Sequence, residues 1–459
     1  MTPQSPQEKD IPVQTETDRF RETPGKMSEE PIGELSPSAP RRRLPLYALY
    51  SANAISRVGD VLTLLALPWF TLQTTGSLTK TGLVGFCATV AVAVTAFFGG
   101  ALVDRAGFKR VSVVSDLASA ICSALIPLLY YTVGLQFWQL LTLVFLAGLG
   151  TTPGSTARSA LVPDLAELAG ARLERVSAAT DGVSRVAGFI GAPLAGLLIV
   201  LIGASNLLWI DAATFAVSAA LIGLLVPVIA IKPAPVSNRT EVGQPASKAR
   251  RYLADLNGGV GFLLRDGMLF SMTVTVLVTN LLDAGFGAVL GPGYIRLVYG
   301  NAVLWGAMIA GFGGAAFLGT VVFGAIGHRL PRQLTLGIGF TLAGGTRYLA
   351  LALIHSPIAL VVINIIAGFF IAPVNPLFDT VSYERIPATL RARVFGVITA
   401  GATVGMPLGA LISGYLGAWL GLRTTLLLLG TIYVAMTASL LVNPTLRGME
   451  KQRKSDLTP

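Results

Sequence analysis

Charge is scarce in this sequence. Asp, Glu, Lys and Arg make up 13% of its 459 residues, about half the ~25% of an ordinary soluble domain. Cysteine and histidine are scarcer still: Cys87, Cys122, His328 and His355. Two thiols inside apolar runs make no disulfide framework. No His/Cys group has the spacing of a metal site, so no metal and no cofactor is expected. No Gly-x-x-x-x-Gly-Lys-Ser/Thr loop occurs, which excludes ATP as a direct energy source. Glycine is frequent, at 51 residues, but follows no Gly-X-Y period, which excludes collagen. What abounds is apolar: 53% of residues are hydrophobic and the mean hydropathy is +0.68. Such a chain cannot bury its apolar surface within itself and keep a polar exterior. It reads as an all-α protein that spans a membrane.

Residues 1–43 are polar, with eight acids and seven bases, and read as a disordered tail rather than a signal peptide. Apolar runs of spanning length then predict helices at 44–73, 81–102, 110–133, 137–157, 176–202 and 205–230. Six more follow at 269–290, 301–327, 333–354, 357–378, 394–418 and 424–443. The expected organisation is a six-helix bundle over 44–230, a linker over 231–268, a second bundle over 269–446 and a tail over 447–459. A surface helix is expected within 250–264, ahead of the seventh span.

The formal net charge is +10. With a cytoplasmic N-terminus, 28 of the 34 Lys and Arg fall in inner segments; only Lys80, Arg296 and Arg423 fall in outer loops. Positive charge collects on the cytoplasmic side of membrane proteins, so both termini and the linker are expected there, in the plasma membrane. Trp69, Trp138, Trp209, Trp305 and Trp419 all fall near outer helix ends, the depth indole prefers. Charge used for orientation leaves no soluble basic face, so nucleic acid is not an expected partner.

The halves repeat weakly. At an offset of 224 residues Pro68 meets Pro292, Gly100 meets Gly324 and Pro163 meets Pro387; at 214, Pro193 meets Pro407. Duplicated six-helix halves with a ligand site between them are a transporter architecture.

The strongest motif lies between helices 2 and 3: Gly100-Ala-Leu-Val-Asp104-Arg105-Ala-Gly107-Phe-Lys109-Arg110. Gly107 permits a tight turn, Asp104 can face a helix N-terminus, and the bases can pair with acids across the inner surface. A plain positive-inside turn is the alternative reading. The motif resembles the signature loop of the major facilitator superfamily at every defined position. Its second-half copy has His328 for the acid and Pro331 for the glycine, so any latch there is weaker. His328 is either a pH element or a solvated loop residue. Ser56-Arg-Val-Gly-Asp60 with Pro68, Ala157-Arg-Ser-Ala-Leu-Val-Pro163-Asp164, Asp211-Ala-Ala-Thr-Phe215 and Leu390-Arg-Ala-Arg-Val-Phe-Gly396 resemble the macrolide-efflux branch. That resemblance implies twelve transmembrane helices in two pseudo-symmetric bundles and export of amphipathic compounds in exchange for protons. Gly188, Pro193 and Gly196 on helix 5 resemble the antiporter signature, with Ala192 and Leu197 departing from it; close packing explains the stretch equally well.

A charge at a helix centre costs about 2.5–3.5 kcal/mol on insertion scales, so each needs a partner, water or a task. Arg57 and Asp60 lie one turn apart on helix 1 and can neutralise each other. Helices 1, 4, 7 and 10 line the cavity in this superfamily, which favours Asp60 and Asp283 as proton sites, with Asp211 next; structural ion pairs are the alternative. No base lies within a turn of Asp283 on its own helix, which makes it the readier carrier. Asn280, Asn364 and Asn375 are cavity candidates or interhelical glue. Gly401, Gly405 and Gly409 are expected to pack helix 11 on helix 2 near Gly100. The expected partners are the bilayer, a small amphipathic substrate and protons, with the protein a monomer. Rival functions are export of a siderophore or other metabolite, or a membrane sensor or enzyme without transport.

Asp104→Asn should impair transport several-fold without blocking insertion. The lost interaction is typically worth about 0.3–1 kcal/mol, up to ~2 when partly buried. His328→Ala should matter less. Efflux assays on both variants check this; equal losses would contradict the asymmetry between the halves.

Overall fold

In a computed structural model the described residues are 42–228, 258–387, 390–447 and 449. Most of both tails and of the linker therefore lies outside them. Among the described residues there is no strand, and twelve helices are long and apolar enough to span a bilayer. In the first half they are α1 (Leu44–Thr75), α2 (Leu78–Ala106), α3 (Phe108–Thr132), α4 (Phe137–Ala169), α5 (Leu173–Ile202) and α6 (Ala204–Leu225). The second half has α7 (Gly267–Tyr299), α8 (Ala302–Ile326), α9 (Arg332–Leu353), α10 (Pro357–Arg385), α11 (Arg391–Trp419) and α12 (Leu422–Val442). Residues 258–265 are helical ahead of α7.

Several helices outrun their apolar stretch. Helix α4 continues from 157 to Ala169, because Leu, Ala and Glu keep it helical until Gly170 (φ 61°) supplies a left-handed cap. Pro163 and Arg158 therefore lie inside α4, not in a loop, and Arg158 leaves the count of loop charges. Pro387 follows α10, so that pair of landmarks is not equivalent in structure. Helix α2 likewise runs through Ala106, which puts Asp104 and Arg105 in its last turn. Only Gly107 (φ 88°) separates α2 from α3, a backbone conformation that side chains disfavour.

Helix α7 reaches Tyr299, beyond the expected 290, by way of two π-helical turns at Phe286–Leu290 and Ile295–Tyr299. A third π turn, Thr341–Gly345, interrupts α9. The matching helices of the first half, α1 and α3, run without one. Helix α10 breaks at Ala372 and Pro373.

Within the first half α3 packs on α4 and α6, α1 on α5 and α6, and α2 on α4; in the second, α7 packs on α11, α8 on α10 and α9 on α12. The halves meet through α2 on α11 and α5 on α8. Lipid tails are as apolar as leucine, so close backbone approach supplies the attraction between helices. Gly82 of α2 lies against Gly414 of α11, where an added Cβ would stand 2.7 Å from the Ala410 carbonyl oxygen. On α5, a Cβ at Gly196 would stand 2.8 Å from the Ala302 oxygen of α8. Pro193 is accommodated inside α5, while Gly188 has open space around it and makes no close contact. The α11 stripe has a different partner from the one expected: Gly401, Gly405 and Gly409 face Leu277 and Leu281 of α7. Ala410 and Gly414, one turn round, take α2.

Twelve spans alternating in direction put the start of α1 and the end of α12 at one end of the helix array. At the opposite end one apolar cluster joins the halves, with Leu67, Trp69, Phe70 and Ile199 beside Leu290, Tyr294, Ala302 and Trp305. At the terminus-bearing end the clusters are separate: Leu46–Ala52 with Leu161–Val176 in one half, Met268–Met272 with Leu336, Phe378 and Val394 in the other. Trp138, Trp209 and Trp419 are exposed, as interfacial rings should be. Trp69 and Trp305 are each only 4% exposed and serve the joint cluster instead.

Gly409→Leu should destabilise the protein by about 1–3 kcal/mol, the usual range for overpacking, because a Cβ there runs into the Leu281 backbone of α7. Gly188→Ala should be neutral. Thermal unfolding in detergent distinguishes the two.

Candidate transport cavity

A cavity of about 410 Å³ lies below the joint cluster. Its polar lining is Thr279, Asn280, Asp283, Arg347, Asn364 and Asn375; its apolar lining includes Phe286, Trp305, Phe312 and Phe340. Leu64 of α1 contributes from the first half. Four candidates scattered over α7 and α10 in sequence thus line one cavity. Asn364 is also tied to its own helix, its Nδ2 donating to the Leu360 oxygen at 2.8 Å.

Asp283 is not the unpartnered acid that its own helix suggests. Arg347, from α9, donates Nη2 to its Oδ1 at 2.7 Å, and Tyr433, from α12, donates its hydroxyl to Oδ2 at 3.1 Å. The Arg347 guanidinium also lies 5.0 Å from the Phe286 ring centre and 4.5 Å from that of Phe312. Cation–π attraction of this kind strengthens away from water. The Arg347 Nε is buried with no hydrogen-bond partner. Tyr348 donates to the Leu282 oxygen at 2.6 Å, anchoring α9 to α7 beside the pair. Gly344 makes room for Tyr433, since a Cβ there would strike the tyrosine ring. The π turns start just after Asp283 and end just before Arg347, where such irregularities recur at functional sites. The clues in the sequence were Gly285, Gly287, Gly291 and Gly293 around Pro292, and the Gly344–Gly345 pair.

The first half holds a second ion pair that sequence reasoning missed. Arg158 of α4 donates Nη1 to both oxygens of Asp116 on α3, at 2.7 and 2.8 Å. It also reaches Ser56 of α1 at 3.1 Å, while Ser218 of α6 donates to Asp116 at 2.6 Å. Four helices are pinned by one buried network, with Asp116 2% and Arg158 3% exposed. Asp116 lies deep in an apolar helix and carried the same signal as Asp60; Arg158 was hidden by its assignment to a loop.

Arg57 and Asp60 approach to 3.6 Å, and neither lines the cavity. Asp211 is fully buried on α6 and also lies apart from it. In the motif between α2 and α3, the surroundings of Gly100 and the side chains of Asp104 and Arg105 lie outside the described residues; Lys109 is half-buried and Arg110 exposed. At the corresponding turn of the second half, His328 accepts from Arg329 Nε at 3.2 Å. Arg332 makes a bidentate pair with Glu384 of α10, at 2.7 and 2.9 Å. The same end of α10 is tied by Arg385 to Asp266 ahead of α7, at 2.7 Å. Charge therefore does link helices at this turn, through Arg332 rather than through His328.

Twelve spans in two halves around a polar-spotted cavity define a multi-pass membrane transporter rather than an enzyme. The chain belongs to the Major Facilitator Superfamily, whose sequence pattern it matches over residues 49–300 and 272–458. It is 28% identical over 417 residues to multidrug efflux pump Tap of Mycolicibacterium fortuitum, spanning 90% of this chain and 99% of that protein. The likeness to macrolide efflux protein A of Streptococcus pyogenes is 20% over 401 residues, or 86% and 94% of the two chains. Among solved structures, the nucleoside transporter NupG has the same fold, with a TM-score of 0.65 at 14% identity over 87% of this chain and 98% of that one. A POT family transporter aligns with a TM-score of 0.63 at 13% identity, over 86% and 95%.

Arg158→Met, which leaves Asp116 buried without its cation, should destabilise the protein by about 3–5 kcal/mol. Adding Asp116→Asn should restore part of the loss. A double-mutant cycle on thermal unfolding in detergent checks this, and strictly additive losses would show that the pair is not coupled.

Proposed function

We propose that this protein is a secondary active transporter of the plasma membrane that exports amphipathic, macrolide-like drugs in exchange for protons. The observation that carries this reading is the cavity: aromatic walls for an apolar body, and an ion pair with three asparagines for a few polar groups. Its efflux-pump relatives support the drug assignment. The joint cluster at one end and separate clusters at the other suit alternating access, with the halves here parted toward the termini. On this reading both termini are cytoplasmic and the structure faces inward. Residues 44–230 and 269–446 act as the rocking halves of a monomer, joined by the linker 231–268. Without a nucleotide loop, uphill export draws on an ion gradient. Asp60, Asp283 and Asp211 are the candidate proton sites, and the 100–110 turn is the candidate gate.

Cells expressing the protein should accumulate less of a macrolide and of a lipophilic cationic dye than cells without it, and a proton uncoupler should abolish the difference. Arg347→Met should cut export at least tenfold while the protein remains folded and membrane-inserted. Unchanged accumulation across such a panel would overturn the drug assignment. A cysteine placed at Thr240 should react with an impermeant reagent only after permeabilisation; labelling in intact cells would overturn the topology.

A further inference from the structure

Three acids deep in the spans each have an arginine: Asp60 has Arg57, Asp116 has Arg158 and Asp283 has Arg347. A fourth, Asp211 on α6, forms no ion pair among the described residues and is 0% exposed. Its Oδ2 accepts from Ser123 of α3 at 2.8 Å. Its Oδ1 is buried, and so is the Oγ1 of Thr63 on α1, the hydroxyl that interacts with this carboxyl; neither oxygen has a hydrogen bond of good geometry. Gly59, one turn before Thr63, brings the α1 backbone close: a Cβ there would stand 2.9 Å from Oδ1. Two buried oxygens without a well-formed hydrogen bond thus lie at one close-packed seam between α1 and α6.

Thr63 can either donate to Oδ1 or accept from it, so hydroxyls can satisfy these oxygens in either state, but they supply no countercharge. A proton on Oδ1 neutralises the carboxyl and can be donated to Thr63 Oγ1. A bare carboxylate would be a buried charge offset by hydroxyls alone, with no cation. A metal cation would need several more oxygen ligands than Oδ1 and the hydroxyls of Thr63 and Thr214 supply. The charged side chains at similar depth on helices packed against α6 are Arg57 and Asp60 on α1, Asp116 on α3, and Asp181 and Arg185 on α5. None pairs with Asp211; Arg57 is held by Asp60, Asp116 by Arg158, and Asp181 and Arg185 are exposed.

We propose that Asp211 is the proton-carrying carboxyl of this transporter, loaded in the conformation seen here and sealed until α1 shifts against α6. The seal is structural. Leu207 and Leu208, at 0% and 1% exposed, lie toward the joint cluster, and the Arg158–Asp116–Ser218 network lies toward the termini; to the side, Thr214 borders a groove between α1 and α5 whose other lining residues are apolar. When α1 withdraws Gly59 and Thr63, water reaches Oδ1, the O–H bond breaks, and the proton leaves to water while the carboxylate is hydrated. Helix α1 also presents Leu64 to the cavity, so solute there and the proton at Asp211 act on one moving element. This rests on the antiport reading.

Two measurements test it. In infrared spectra of the purified protein in lipid, the wild type should show a protonated-carboxyl band. It should vanish in Asp211→Asn and shift in Thr63→Val, which removes the acceptor. In proteoliposomes loaded with erythromycin, Asp211→Asn should keep downhill movement and lose uphill transport and drug-driven proton flux at least tenfold. A band that survives in Asp211→Asn overturns the assignment, and so does a variant that remains fully coupled. Wild-type vesicles that move erythromycin with no proton flux overturn the antiport reading itself, whatever the band shows.

Discussion

A charge inside a bilayer must be matched, and the interior of this protein is arranged around that requirement. Water is absent at that depth, so an isolated ion is expensive and pairs or neutralises. The three deep ion pairs answer it differently. Arg57 and Asp60 share one helix and bind nothing together. Arg158 and Asp116, with Ser56 and Ser218, tie four helices into one block. Arg347 and Asp283 join α7 to α9, with Tyr433 bringing in α12, and face the cavity. Among the described residues Asp211 has no cation, and it sits at the seam where α1 meets α6.

These differences divide the labour between the halves. The first half has uninterrupted α1 and α3, a closed polar network and no share in the cavity's polar lining. The second half has three π turns, a broken α10 and the polar lining itself. A π turn adds a residue to the helical ladder and re-aims the side chains beyond it. Here it lets Asp283 and Arg347 meet beneath the aromatic rings that flank the guanidinium. The two halves each have six spans but differ in internal chemistry.

Along α2–α11 and α5–α8 the halves meet by close backbone approach, and at one end by an apolar cluster. Gly82 with Gly414, and Gly196 with Ala302, allow backbones to touch where lipid could otherwise compete. At these points no large side chain has to unlock, which suits surfaces that must separate and re-form. The apolar cluster that closes one end is the larger commitment, and it recruits Trp69 and Trp305 away from the membrane interface.

Composition, run length and the bias of Lys and Arg determined, without coordinates, a twelve-helix membrane protein in two halves, and the 100–110 motif pointed to its superfamily. Those signals are local or additive, so one chain carries them whole. Asn280, Asp283, Asn364 and Asn375 were legible as polar residues in apolar runs for the same reason. Only the tertiary structure decided how they are used. It brought Arg347 onto Asp283 from another helix, turned the Gly401–Gly409 stripe toward α7, drew Arg158 out of a supposed loop onto Asp116, and left Asp211 without a cation. Partners across helices depend on rotation and register about each axis. A helix shifted by one residue turns about 100°, and nothing in a single sequence counts those turns through a π bulge or past the end of an apolar run.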